Sequence, residues 1–484
     1  MLFSVLIRPS FQPIVFLAPR MLVPSTLKTT IRRRYHFTAP LRALLLLGGV
    51  SWAVLATGLN SPVLAQPPGV GAPSEQGPGP SAANSKADVD GGRVKDDQAM
   101  IEKTKAEMPE EIRKEAEAAY EKFQATHEEL TTEMLELRKL HIRFNNDIDR
   151  SPQASKAFRA QQHKVWDVMQ KQMKNAVEVF RLLPSPEAAS YMVTMVQHNF
   201  DHDIYDLPTY EAAARLIDIG QNYRYLFLTA ARAGVATGNF ETSRKVYDAL
   251  ESDELEKVDL ANQHFIDELE KQFNEEKERM EKIDRDALPQ VLIKTTRGDV
   301  LIELYPGEAP STVAHFIKLV KQGFYDGLDF SQVVSNMLAL SGDPNGDGRG
   351  NSGQFLMDEH DNENAHCALR GSLVMAKIPM GEGRFIENSA SSQFAIFFLP
   401  VAGAKEQQTI FGRVIEGMDR ISLLRRRDPS KSDEKKIQLP PDAIISAEVV
   451  REGPELPEPK YVDVAAELKK AQEAGLIKLK TPAE

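Results

Sequence analysis

The sequence predicts a multidomain α plus β chain, with a helical region followed by a β-rich domain. Three observations carry this. Between about residues 99 and 286 glycine is scarce and apolar residues recur at helical spacing. After Pro289 the apolar period drops to two, broken by turn residues. Ahead of both, residues 66–97 (QPPGVGAPSEQGPGPSAANSKADVDGGRVKDD) hold little that can be buried and have the composition of a flexible tether. With 484 residues there is length for about two to four domains. The single cysteine, Cys367, excludes an intrachain disulfide and any metal site built on several thiolates.

Every charge in residues 1–65 is positive (Arg8, Arg20, Lys28, Arg32, Arg33, Arg34 and Arg42), so their removal takes the formal net charge from −11 to −18. Such an acidic body argues against nucleic acid or an anionic membrane surface as partner. The Arg32-Arg33-Arg34 cluster and Arg42 precede the apolar run ALLLLGGVSWAVLATG and then LNSPVLAQ. This is the order of an export signal, with a cut expected after Ala65 and a periplasmic or cell-envelope destination. The alternative is a retained N-terminal membrane anchor, the run being of marginal length for a span. Met1 and Met21 are both candidate starts.

In the helical region (98–286), Ala116, Tyr120, Phe123, His127, Leu130, Met134, Leu137, His141, Phe144 and Ile148 step alternately by four and three, a coiled-coil-like seam. Ser151-Pro152 and Ser185-Pro186 each place an N-cap before a proline at the first helical position. Phe158, Val165, Met169, Met173, Ala176 and Phe180 continue on a second helix, predicted to form an antiparallel hairpin with the first. YRYLFLTAARAGVATGNFETSRKVYDALE resembles a tetratricopeptide unit through Ala231, Gly234, Gly238, Phe240 and Tyr247; a plain helical bundle is the alternative. Either version offers a surface for a protein partner or for self-association. The polar run 267–285 reads as a solvated helix leading to the next domain.

The β-rich domain opens with QVLIKTTRGDVLIELY, two strands about a turn. Pro310 starts a helix with Val313, Phe316, Ile317 and Val320 on one apolar stripe, and strands are expected at 372–377, 393–399, 409–414 and 444–450. The words TTRGDVLIELYPGEAPSTVAHF, GFYDGLDF, SGDPNGDGRGNSG, RGSLVMA, SSQF and FGRVIEGMD, in that order, resemble the cyclophilin family of peptidyl-prolyl isomerases over about 288–451. The resemblance implies a closed eight-stranded barrel with two capping helices and a substrate groove on its outer face. Residues 452–484 add a Pro-rich link and a short helix around 464–474.

The chemistry so implied is rotation about an Xaa-Pro bond, opposed by roughly 18–20 kcal/mol of amide resonance. It needs an apolar grip on the proline ring and a cationic donor near the prolyl nitrogen, but no cofactor or metal. At the family's arginine position this sequence has Gln332, after Phe330. The remaining groove positions fall on Met337, Leu338, Leu340, Ala376, Ala395, Gly403, Ala404 and Gln408, and of these only Ala376 keeps the family residue. Arg384, in a loop longer than usual, is a candidate replacement cation. Asp343 to Gly348 imitates the start of a calcium loop, but Gln354 stands where a bidentate Glu is needed. Asp358, Glu359, His360 and Asp361 are metal-type ligands too close in sequence to converge on one ion. Two functions follow: an exported isomerase of proline-containing polypeptides with weakened or lost catalysis, or a non-catalytic peptide-binding chaperone or scaffold.

Overall fold

The computed structural model describes residues 101–145, 151–360, 362–381, 384–428 and 440–473. The export segment, the tether, Ile148 and residues 474–484 lie outside them. Helix α1 (Glu110–Asn145) and helix α2 (Pro152–Leu182) are antiparallel, Gln161 meeting Glu133, Lys171 meeting Glu129 and Arg181 meeting Glu115. Ala116, Phe123 and Leu130 of the seam are buried with Val165, Met169, Met173 and Ala176 of α2. The Ser151 and Ser185 hydroxyls accept from the Ala154 and Ala188 amides, as their positions before proline predict.

Helices α3 (Pro186–Asp201), α4 (Leu207–Asp218), α5 (Arg224–Thr237), α6 (Phe240–Ala249), α7 (Lys257–His264) and α8 (Ile266–Met280) follow. Gly238 (φ +87°) ends α5 in the left-handed conformation glycine allows. Gly234 lets α6 approach so closely that an added Cβ would stand 2.4 Å from Ser243 Oγ.

The sheet of the β domain runs in the order β11 (Ile444–Arg451), β1 (Gln290–Thr295), β2 (Gly298–Leu304), β10 (Ile410–Glu416), β6 (Ser372–Met375), β9 (Phe394–Phe397), β4 (Leu338–Ser341) and β3 (Gln332–Val334). Its inner face holds Val291, Ile302, Leu373, Phe394, Ile396 and Ala339 under helix α9 (Pro310–Lys321). Glu359 caps α9, accepting from the Ser311 and Thr312 amides at 3.0 and 2.9 Å. The five-residue helix α10 (Met418–Ser422) lies against β2. The sheet is an open, curled half-barrel, which corrects the closed barrel expected from the sequence. The edges β3 and β11 do not pair. The chain after α10 fills the seam instead, Val333 exchanging both backbone hydrogen bonds with Arg427 at 2.9 Å and Asp329 bridging Ala443.

Strand β12 (Tyr461–Val462) pairs with β5 (Phe355–Leu356), tying the chain end to the barrel before helix α11 (Val464–Glu473). Strands β7 (Pro379–Gly381) and β8 (Arg384–Phe385) form a separate hairpin.

Helix α8 departs from the solvated helix predicted for 267–285. It buries Leu269, Gln272 and Glu276, and Glu276 is joined to the β domain. His366, fully buried and stacked on Tyr305, lies 2.7 Å from Glu276 and 3.2 Å from Glu308 through its two ring nitrogens. The Cys367 amide donates to the second Glu276 oxygen at 3.0 Å. Burial alone disfavours both charges, but the mutual hydrogen bonds prevail, lowering Glu276 below its ordinary 4.5 and raising His366 above its ordinary 6.5. Stabilisation from His366 is complete below 6.5 and is lost as pH rises through its raised value. That from Glu276 is complete above 4.5 and is lost as pH falls through its lowered value. The thermal midpoint of the native chain should therefore exceed that of His366→Gln most between these ordinary values, and the gap should narrow toward alkaline pH. A gap independent of pH would show that no imidazolium is present.

Candidate functional site

The pleat of β3, β4 and β9 sorts the sequence-derived candidates onto faces. Gln332 opposes Leu340, Leu340 opposes Ala395, Ala395 opposes Val374, and Val374 opposes Ile410. Directly paired residues share a face, so these form one row across the outside of the sheet. The adjoining pair, Leu338 and Phe397, lies on the same side. Ala395, Phe397, Val374, Ile410, Ala404 and Ala368 are buried together there, with Leu338, Leu340 and Val401 half-buried against them. The structure thus gathers Leu338, Leu340, Ala395 and Ala404 into one apolar surface, bordered by Gln332.

Other candidates are placed differently. Phe330 is 2% exposed within the inner core, so it lies behind the apolar surface rather than on it. Met337, 55% exposed, stands at the turn between β3 and β4. Gly403 has φ +70° and begins the 3-10 turn Ala404–Glu406, where an added Cβ meets only Glu406 Oε2 at 3.9 Å. There is room for a side chain there, but its backbone conformation costs a non-glycine residue about 1–2 kcal/mol. Gln408 is half-buried and its amide donates to Ala404 O. Ala376 closes the end of β6, donating to Gln393 O at 3.0 Å. Arg384 is exposed on the β7–β8 hairpin.

Two polar residues escaped the sequence reading. Gln393, within the SSQF word, donates through Nε2 to Gly350 O at 2.8 Å and Gly348 O at 3.2 Å, fastening the glycine loop 343–350. Gln332 Nε2 lies 4.0 Å from the position of a Gly348 Cβ, which places its amide against the same loop. Lys377 is buried and bound to Asp358 and to Gln407 O, so its charge is already matched.

The metal-like words serve the backbone. Asp343 accepts from the Asn345 and Gly348 amides, and Asp358 accepts from the Asn388 amide. Glu359 likewise caps α9, so both carboxylates are engaged by backbone amides; Asp361 lies outside the described residues. Among the described residues no group of three or more His, Cys, Asp or Glu side chains is arranged to hold a metal ion.

A sequence model described as cyclophilin type peptidyl-prolyl cis-trans isomerase matches residues 290–449. The peptidyl-prolyl cis-trans isomerase ppi1 of Schizosaccharomyces pombe is 33% identical over 162 residues, which are 33% of this chain and 98% of that protein. Peptidyl-prolyl cis-trans isomerase-like 2 of Gibberella zeae is 37% identical over 135 residues, but the match spans only 22% of its length. A crystal structure of a Cryptosporidium parvum cyclophilin type peptidyl-prolyl cis-trans isomerase in the presence of the dipeptide Ala-Pro shares 24% identity; the match covers 34% of this chain and 99% of that one, with a TM-score of 0.29. With a relative matched over almost its whole length at this identity, the chain, through its β domain, belongs to the cyclophilin-type peptidyl-prolyl cis-trans isomerase family.

Proposed function

We propose that the outer face of β3, β4 and β9 binds proline-containing polypeptides and catalyses their isomerisation weakly or not at all. The observation that carries this is the apolar surface of Leu338, Leu340, Ala395 and Ala404 with a neutral Gln332 at its border. A primary amide can donate to the prolyl nitrogen, but without the charge that strengthens such a bond. Loss of one preorganised donor typically costs about 10²–10³ in rate. The family resemblance implies aromatic side chains at 395 and 403, where this chain has Ala395 and Gly403, and such parts act as a unit.

In an isomerisation assay with an Ala-Pro peptide, the full chain should turn over at least about 10²-fold more slowly than a family member carrying the arginine. Gln332→Arg alone should restore little, because Ala395 leaves the ring poorly gripped. Full family speed in the wild type, unchanged in Arg384→Ala, would overturn this reading.

The non-catalytic alternative, a peptide-binding chaperone or scaffold, is favoured by the same neutral Gln332. Detectable peptide binding without turnover would select it. For the helical region we assign partner binding or self-association, supported by the exposed Leu135 and Ile142 on α1. The protein is exported to the periplasm or cell envelope, a reading supported by the Arg-rich and then apolar order of residues 32–58. No helix among the described residues is long and apolar enough to cross a membrane, and the apolar run itself lies outside them.

A further inference from the structure

The turn between β3 and β4 connects the two strands that carry Gln332, Leu338 and Leu340; Arg426 Nε of the β domain donates to Ser335 Oγ at 3.2 Å, but the support of Asn336 comes from the helical region. Asn336 occupies the left-handed region at φ +61°, a conformation that a residue other than glycine keeps only when its surroundings enforce it. Its amide donates to Asp203 Oδ2 at 2.8 Å. Its side-chain oxygen accepts from Tyr205 Oη at 2.7 Å and from Arg232 Nη1 at 3.3 Å. Arg232 also donates to Tyr205 Oη at 3.2 Å, and Asp259 fixes the guanidinium.

The same tyrosine supports the opposite wall. Leu399, just ahead of the Gly403-Ala404 turn, is buried against Tyr205, Tyr210, Ala233 and Ala236. The two walls are stitched together by the Phe398 amide, which donates to Met337 O at 3.0 Å. Asp203 is in turn held by the β domain, accepting from Arg426 at its carboxylate and from Arg370 and Ser422 at its carbonyl.

We propose that Tyr205, backed by Arg232, is a positioning residue for the groove, holding the β3–β4 turn and the 399–404 wall in register from outside the barrel. The proposal rests on the groove reading above, but its first test needs no ligand. A recognition surface tolerates about 0.5 Å of play. The three-residue edge strand β3 and the turn after it, with Met337 exposed, cannot supply that rigidity alone.

The test is amide hydrogen exchange on the full chain at residues 332–334 and 338–341. Tyr205→Phe removes only the hydroxyl and leaves the ring under Leu399. Asn336→Gly removes the acceptor while accepting the backbone conformation. Each should speed exchange at these amides about threefold to tenfold, the range one net hydrogen bond implies. The double variant should do no more than the larger single effect, since both act through one contact. Trp166→Phe is the control. It cuts the 2.5 Å bond from Trp166 Nε1 to Asp419, which joins the same two regions away from the turn. It should leave these amides unchanged.

Unchanged exchange in Tyr205→Phe and Asn336→Gly, or equal acceleration in Trp166→Phe, would overturn the proposal. A second arm titrates a short Ala-Pro peptide and follows the Met337 methyl by NMR. Positioning predicts a weaker Kd in Tyr205→Phe; faster exchange with an unaltered Kd would reduce Tyr205 to a purely structural contact and overturn its role in the groove. If the wild-type chain binds no such peptide, the groove reading falls, while exchange still decides whether Tyr205 holds the turn.

Discussion

Arg232→Leu should lower the stability of the full chain by about 3–5 kcal/mol, measured as the shift in its urea-unfolding midpoint, because it leaves a buried charge without its partner. Arg232 is 1% exposed and Asp259 is fully buried, and the two are joined by a pair of bonds at 2.8 and 2.6 Å. Burial alone would ease the guanidinium proton off, but the hydrogen bonds and charge of Asp259 outweigh it and hold the group protonated. In the variant the Asp259 carboxylate retains its bond from the Glu256 amide and loses the cation that justified its burial. Replacing both partners, Arg232→Leu with Asp259→Leu, should recover much of the loss, since a buried ion pair gains little over an apolar pair of similar volume. A loss below about 1 kcal/mol in the single variant would mean that water or another cation reaches Asp259.

Phe394→Ala is the second large effect, expected at about 3–5 kcal/mol from lost burial and the cavity left behind. Its ring is 1% exposed and meets Phe316 edge-on at 5.5 Å and Tyr325 at 5.6 Å, in the inner core under α9. Gln408→Ala, on a half-buried loop position, should be nearly silent in the same denaturation experiment. Equal small changes would show that the inner and outer faces of β9 have been exchanged.

That face assignment was readable from the chain alone. Alternation in β9 puts Phe394 inside and Ala395 outside, and the ordered turn words placed the strands around them. The serine-proline caps of α2 and α3 were equally legible, because their cause is local. The sequence reading failed where burial is polar. Glu276 and His366 are separated by 90 positions, and Arg232 and Asn336 by 104, so neither pair leaves a periodic signature. A helix whose buried face includes Gln272 and Glu276 scores as solvated by any hydropathy rule. Phe330 was misplaced for a different reason: strict alternation would put it on the same face as Gln332, but it precedes the three-residue β3 and its ring packs in the inner core.

The position of β11 governs the order in which the molecule can be completed. The first strand of the open sheet, β1, has β11, the last of its eight strands in sequence, as a neighbour, Gln290 lying opposite Arg451, so one side of β1 stays open until nearly the whole domain exists. Closing so long a loop costs chain entropy before any contact repays it. The surface that receives Asp203 is assembled from distant pieces, Asn336, Arg370, Ser422 and Arg426. The Arg232–Asp259 pair, by contrast, spans only 27 residues and lies wholly within the helices. The helical half of the joint is thus built from contacts close in sequence and the half on the sheet from distant ones, so docking of the two regions is expected to come late in folding.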